Sequence, residues 1–291
     1  MKRALALVGL ALLAGCMGPA ANPHYQLGRA YQLKGIWYYP NESYDLDDTG
    51  LAAMFGSGHP PLTANGEVFD QSVVMAGHAT LQLPAIARLT NLENGRSVLV
   101  RINDRGTGNP GRLVEVTNRT AILLDMRDRS ATRMRLLVLP VESRAAVDAI
   151  PGAPALALTA APRGAVTASV LAPPPGVAAL ADRTTPPVVT AAAEVRPAAP
   201  AAIARLPETV TQEEIRLNRL WVRLDTFEEY HYAASQRARM SNLGAGIESA
   251  FDGRVHRYWV RIGPLDTVRQ ADDALRDALA KGIPDARIVV E

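Results

Sequence analysis

The sequence predicts two folded modules of different class, a mainly β unit that closes into a small barrel and an α+β unit behind it, with a structureless segment between them. Three observations carry this expectation. The chain has 291 residues, more than one core usually serves. Its aromatic residues fall into two sets, from Tyr25 to Phe69 and from Trp221 to Trp259, and residues 70–220 contain none. Finally, apolar residues alternate with period two in the first half, while strand and helix periods follow one another in the C-terminal part.

At the N-terminus Lys2 and Arg3 precede an apolar run from Ala4 to Ala14. Spanning a bilayer takes roughly 20 helical residues, so this run reads as a signal peptide over residues 1–15. Leu13-Ala14-Gly15-Cys16 resembles the bacterial lipobox, which makes Cys16 the lipidation site and residues 16–30 a lipidated tether. Acyl chains would anchor stably, at about 0.8 kcal/mol per buried methylene. Met17, where retention in the inner membrane favours Asp, points to the outer membrane; the alternative is a plain secretory signal.

The first module spans residues 31–141. Apolar residues alternate in Ile86-Ala87-Arg88-Leu89-Thr90 and in Ser97-Val98-Leu99-Val100-Arg101-Ile102, with Asn94-Gly95 suited to a tight primed turn between them. Further strands are expected at Arg112 to Val116 and Met134 to Leu139, and Thr117 can cap a short helix through Ala121, Ile122 and Leu124. Short strands, bends and a hairpin suggest the small barrel.

From about Ala145 to Leu206 the composition turns to Ala, Pro, Val and Thr, with Pro173-Pro174-Pro175, Pro186-Pro187 and Pro197. Prolines at this density break helices and sheets, which predicts a disordered linker over 142–211.

The second module, 212–291, reads βαββαβ. Strands are expected at Leu220 to Leu224, Ile247 to Phe251, Val255 to Ile262 and Arg287 to Val290, with a helix from about Glu229 to Leu243. A second helix is capped by Asp266 or Thr267 and carries the stripe Val268, Ala271, Leu275, Ala278 and Leu279. This order predicts a ferredoxin-like sandwich with both helices on one face of the sheet. Alternation then sends Val222, Leu224, Tyr258, Val260 and Ile262 toward the helices and leaves Trp221, Arg223, Trp259 and Arg261 on the open face. Indole rings stack on sugars and Arg donates to hydroxyls and carboxylates, so the open face suits a glycan; the alternative is that the Trp residues cover a dimer interface or pack under the linker.

Composition excludes some functions. With 31 basic and 29 acidic side chains there is no basic stripe to hold nucleic acid. One Cys closes no intramolecular disulfide and builds no CxxC zinc site, and the five His (24, 59, 78, 231, 256) form no HExxH pair, which disfavours a metal-dependent peptidase. No metal or cofactor is expected. Three polar clusters interrupt the first module: Thr63-Ala64-Asn65-Gly66-Glu67, Gly77-His78-Ala79-Thr80-Leu81 and Asn103-Asp104-Arg105-Gly106. Each alone suits an ordinary turn.

Together, and with TNLENGRSVLVRINDRG and the upstream YQLKGIWYYP, they closely resemble rare lipoprotein A. That family comprises bacterial outer-membrane lipoproteins described as septal-ring lytic transglycosylases on a double-psi β-barrel. The resemblance implies a lyase acting on peptidoglycan glycan strands, in which the substrate's own C6 hydroxyl displaces the leaving sugar and leaves a 1,6-anhydro-muramic end. It implies Asp104 as acid/base, Glu67 as a second acidic group that raises the pKa of Asp104 or orients substrate, His78 as a hydrogen-bonding partner of either carboxylate, and Asn103 and Arg105 as sugar contacts. This sequence departs from the family at Ala53-Met54-Phe55-Gly56, where Ser-Trp-Tyr-Gly is usual, in the loop Ser57 to Leu62, which lacks the Phe-His-Gly order, and at Val114-Glu115-Val116-Thr117, where Ile-Asp-Leu-Ser is usual. The C-terminal module resembles the SPOR domain, which binds glycan strands stripped of peptides at division septa. Trp221-Val222-Arg223-Leu224-Asp225-Thr226-Phe227 and Tyr258-Trp259-Val260-Arg261-Ile262-Gly263-Pro264-Leu265 carry that resemblance. It implies glycan contacts at Arg223, Thr226, Trp259 and Arg261, beside Trp221 from the face argument. Expected partners are therefore peptidoglycan, the membrane through Cys16 and proteins of the division machinery. The competing expectation is a non-catalytic lipoprotein that only binds septal wall.

Overall fold

A computed structural model describes residues 20–150, 153, 205–215, 219–251 and 253–291. The expected signal peptide, Cys16 and most of the linker lie outside these residues.

The first module opens with a hairpin, β1 (Tyr31–Leu33) and β2 (Ile36–Tyr38). The strands β3 (Asp47–Met54), β4 (Met75–Gly77), β5 (Ala85–Asn91), β6 (Arg96–Asp104), β7 (Val114–Val116) and β8 (Thr132–Val138) follow, with α1 (Asn118–Leu123) before β8 and α2 (Pro140–Asp148) after it. They pair in the order β4-β7-β3-β8-β5-β6, and β6 pairs again with β4, so the sheet closes on itself. The β3–β7 and β4–β6 pairs are parallel and the others antiparallel. This six-stranded mixed barrel fits the expected double-psi architecture. Leu83, Leu89, Val100, Ile102, Met134 and Leu136 fill its interior without measurable exposure, each contributing roughly 1.5–3 kcal/mol by leaving water.

The hairpin is present, with a longer turn than expected. Residues 92–95 connect β5 to β6, the Asn91 side chain accepts from the Glu93 N–H, and Gly95 N–H returns to the Asn91 carbonyl. Gly95 alone takes the positive φ, +76°, so a four-residue loop replaces the two-residue primed turn. Thr117 caps α1, accepting from Thr120 N–H.

The linker boundaries also move. Within the expected 142–211 segment, α2 packs on β5, where the buried Ser143 hydroxyl donates to the Ile86 carbonyl and accepts from the Ile86 N–H. At the other end β9 (Thr211–Gln212) adds to the outer edge of β6. Pro140 at the start of α2 is compatible with a helix because the first helical turn has no N–H bond to lose.

The second module contains β10 (Leu220–Phe227), α3 (Tyr230–Arg239), β11 (Ala245–Phe251), β12 (His256–Leu265), α4 (Val268–Ala280) and β13 (Arg287–Val290). Its antiparallel sheet runs β11-β12-β10-β13, the ferredoxin-like order. Thr267 is the cap of α4, in a capping box with Gln270. Val222, Leu224, Val260 and Ile262 are buried against Ala271, Leu275 and Ala278, as the alternation predicts.

The barrel covers the outer edge of β13. Thr49 Oγ1 donates to the Val290 carbonyl (2.7 Å) and accepts from the Val290 N–H (3.1 Å). Arg112 donates to both carboxylate oxygens of Asp272 (2.7 and 3.1 Å), and Leu51 of β3 is fully buried in the core of the C-terminal module. An exposed edge strand is thereby closed.

Candidate active site

The parallel pair β4 and β6 brings two of the three polar clusters together. Their registers place Gly77 opposite Asp104, and His78 N–H donates to the Asp104 carbonyl at 2.9 Å. The remaining cluster, Thr63 to Glu67, is a tight turn closed by the Leu62–Val68 bridge, within which Thr63 N–H donates to the Glu67 carbonyl (2.8 Å) and Gly66 N–H to the Thr63 carbonyl (2.9 Å). Gly66 has φ +80°, and a Cβ there would lie 2.2 Å from the Asn22 carbonyl oxygen, so no other residue fits.

Asp104 is held on both oxygens. Oδ1 accepts from Ala64 N–H (2.7 Å), and Oδ2 accepts from Gly106 N–H (2.9 Å) and faces His59 Nε2 (3.0 Å). The backbone of the first cluster thus reaches across to the catalytic candidate of the third.

Glu67 lies among other partners. Arg101 grips it through Nε (3.0 Å to each oxygen) and Nη2 (2.7 Å), and Asn65 and Asn103 add amide bonds of 2.7 and 2.8 Å. Arg101 and Asn103 share one face of β6, whereas Asp104 follows the opposite alternation. The carboxylate of Glu67 is therefore taken up by Arg101, and Asn103, almost fully buried, is spent on Glu67 with only its unpartnered Oδ1 left over. That geometry makes Asn103 a support for Glu67.

His78 makes no hydrogen bond to either carboxylate. Its Nδ1 accepts from Thr80 N–H (3.2 Å) and Leu81 N–H (3.1 Å), which places the ring proton on Nε2. Burial, aided by Arg105 and Arg287, pushes the imidazole down to about 4, so it is neutral at neutral pH. The histidine beside Asp104 is His59, in the loop whose residue order departs from the family pattern.

Arg105 is also committed to protein. Its guanidinium donates to the carbonyls of Leu81, His78 and Ala79 on one side and of Leu27 (2.6 Å) and Gln26 (3.3 Å) on the other. Burial lowers its pKa. With five carbonyl partners it acts as a clamp, leaving little for a sugar. The segment it holds continues the pattern: Asn22 N–H donates to the Gly66 carbonyl, His24 N–H to that of Asn65, and Gln26 exchanges two backbone bonds with Leu83. From Asn22 to Leu27 the expected tether is bonded to the Thr63–Glu67 turn and to Leu83, and is clamped by Arg105.

Sequence reasoning missed four residues: His59, Asn65, Arg101 and Glu115. Glu115, buried in the middle of β7, accepts from the N–H (3.0 Å) and hydroxyl (2.7 and 2.9 Å) of Thr107 and so braces the turn after Asp104. Arg101 was hidden inside an apolar strand, where an ionic side chain in a period-two pattern was itself the signal of a buried partner. His59 had no motif to mark it.

On the C-terminal sheet Trp221, Arg223, Trp259 and Arg261 are all partly exposed on the helix-free face, and Thr226 pairs directly with Trp259. The Arg261 guanidinium lies 3.8 Å from the Trp221 ring centre. Arg261 also bridges to Glu248 (2.7 Å) and Glu291, and Arg223 to Glu291 (2.7 Å). Among the described residues no group of three or more His, Cys, Asp or Glu is placed to hold a metal ion.

A closed six-stranded barrel with a caged aspartate between two parallel strand ends defines the chain's class: residues 47–136 match the family described as lytic transglycolase. Proteins named endolytic peptidoglycan transglycosylase RlpA align with it from several organisms. The Pseudomonas aeruginosa PAO1 protein is 30% identical over 269 residues, 89% of this chain and 74% of that protein. The Rickettsia felis protein is 33% identical over 124 residues, 41% and 54% respectively, and the Helicobacter pylori J99 protein 36% over 112 residues, 38% and 35%. The chain belongs to the RlpA family. It spans about half the length of the Rickettsia felis relative.

Proposed function

We propose that this protein is an endolytic peptidoglycan lytic transglycosylase, with Asp104 as its acid/base. The observation that carries the reading is the Asp104 carboxyl, fixed on both oxygens where all three polar clusters converge. Asp104 gives its proton to the glycosidic oxygen as the bond to C1 of the muramyl sugar breaks. The C6 hydroxyl oxygen of the same sugar then bonds to C1, and its proton returns to Asp104. No water is consumed, so one carboxyl suffices where a hydrolase needs two. Glu67, locked to Arg101, supports the turn that supplies Ala64 N–H, and His78 keeps a neutral loop beside it.

In the same reading Cys16 is lipidated, the protein faces the periplasm from the outer membrane, and the C-terminal module is a SPOR domain that brings the barrel to peptide-free glycan at the septum. Trp221, Arg223, Thr226, Trp259 and Arg261 are its sugar contacts; the open face with its Trp221–Arg261 stack supports this. Proteins of the division machinery are the expected partners there.

The experiment is incubation of the protein lacking residues 1–16 with amidase-treated sacculi, followed by mass spectrometry. Anhydro-muramic ends are expected from the wild type and none from Asp104→Asn; their absence from the wild type overturns the reading. A second reading, a non-catalytic wall-binding lipoprotein, is favoured by Phe55, which stands where the family has a tyrosine and is buried against His59 and Phe69 with no hydroxyl to offer. Sacculus binding without anhydro ends would select it. Trp259→Ala is expected to abolish septal enrichment of a fluorescent fusion, and unchanged localisation would contradict the SPOR assignment.

A further inference from the structure

The His59 side chain is as buried as that of the aspartate it faces: the two are 5% and 7% exposed. Its ring stacks on Phe69 (centres 3.7 Å apart, 19° between planes) and meets the edge of Phe55 at 5.1 Å. These two apolar rings leave only the nitrogens to be satisfied. Nδ1 lies 2.8 Å from the Pro60 carbonyl. A carbonyl only accepts, so Nδ1 carries a proton. Nε2 then either lacks a proton and accepts from a protonated Asp104, or carries one and donates to the carboxylate across the same 3.0 Å. The two arrangements contain the same single proton and differ only in where it sits.

We propose that His59 and Asp104 hold one proton between them, and that His59 is the positioning residue that keeps this proton on the pair until Asp104 delivers it. The inference rests on the acid/base role given to Asp104 above. Within the cycle the proton leaves Oδ2 for the glycosidic oxygen. Nε2 is then a bare lone pair beside a new carboxylate, and the proton arriving from the C6 hydroxyl restores the starting pair. Nothing is gained or lost over the turnover. A proton held across this 3.0 Å contact belongs to the pair and not to either residue alone.

The surrounding groups are compatible with a singly protonated pair. Ala64 N–H and Gly106 N–H donate to Asp104 from two loops. Arg105, next in sequence, and the Tyr31 phenol of β1 act on it through space. His78 at the end of β4 is neutral, Glu115 of β7 stands beyond Gly106, and Glu67 is matched by Arg101. Phe55 and Phe69 bring no charge to His59.

Two measurements test the proposal in the intact protein. The first is the imidazole nitrogen spectrum of His59 by NMR. Nδ1 is expected to stay protonated throughout, and Nε2 to titrate in a step that moves when Asp104 is replaced by Asn. A bare Nδ1, or a His59 titration indifferent to Asp104→Asn, overturns the proposal whether or not the protein cleaves glycan. The second is the pH profile of anhydro-end formation. His59→Gln keeps an N–H for Oδ2 but no longer titrates, so the alkaline limb is expected to move toward acid by at least about one pH unit. At neutral pH the rate then falls roughly tenfold and recovers in part under acid conditions. A lowered rate with an unmoved profile reduces His59 to a structural contact and overturns the proposal. No anhydro ends from the wild type refutes the proposed activity, and the NMR result still decides the pair.

Discussion

Replacing Arg101 with methionine removes the cation that the Glu67 carboxylate faces while keeping most of the side-chain volume. The pair is well shielded, with side chains 11% and 7% exposed, and three guanidinium bonds of 2.7–3.0 Å hold it. After the substitution Asn65 and Asn103 still donate, but a buried carboxylate is left without its counter-charge. Removing one partner of such a pair costs about 3–5 kcal/mol. Arg101→Met with Glu67→Gln takes the charge away as well and is expected to cost only about 1–2 kcal/mol, so a double-mutant cycle reports a coupling of at least about 2 kcal/mol. The assay must see the barrel and not the C-terminal module. Amide hydrogen exchange at Val100 and Ile102, fully buried on β6 beside Arg101, meets that need. The single variant is expected to speed their exchange by about 140- to 3,700-fold, at tenfold per 1.4 kcal/mol. An acceleration under about fivefold, or additive single and double effects, would refute the claim that Glu67 is chiefly a buried ion-pair partner.

The folded-state pKa of His78, about 4, lies below its ordinary 6.5, so the unfolded chain takes up a proton first as pH falls. Its contribution is present above 6.5 and is lost between there and about 4, by roughly 3 kcal/mol at most; His78→Asn, which keeps an acceptor for the loop, should flatten that limb of a urea-denaturation series. Thr49→Val leaves the outer N–H and carbonyl of Val290 unpaired at the module interface, at a cost of roughly 2 kcal/mol, and the Val290 amide should lose its exchange protection while the interior of the barrel keeps its own. Arg105→Met should release both the 78–81 loop and the Gln26–Leu27 segment, destabilising the barrel by roughly 2–3 kcal/mol. Its signature is new protease cleavage near Leu27, and an unchanged digestion pattern would count against the clamp.

Much of the architecture was legible because it depends on local rules. Period-two alternation located β5, β6, β8 and the strands of the C-terminal sheet, and Thr117 and Thr267 marked helix starts that the backbone uses. The inward and outward faces of β10 and β12 followed from alternation alone. The expected turn at Asn94-Gly95 was the wrong length because Asn91 offers its own side chain to the loop, a choice that propensity at two positions does not contain. The linker boundaries missed α2 and β9 because both are held by contacts with the barrel, Ser143 to Ile86 and Thr211 opposite Ser97, rather than by strong periodicity of their own.

The site divides in the same way. Residue identities determined which carboxylates and histidines were available, and the order of three polar clusters directed attention to Asp104. Only closure of the barrel decided who meets whom. Parallel pairing of β4 with β6 sets Gly77 and Asp104 side by side across 27 residues of chain, and the pleat of β6 turns Arg101 and Asn103 to Glu67 while Asp104 faces His59. Spacing along the sequence carries no record of such meetings, because hydrogen bonds of about 3 Å between residues dozens of positions apart depend on how the strands close. For that reason His78 and Arg105, prominent in the motifs, are spent on the backbone, while His59, marked by no motif, stands against Asp104.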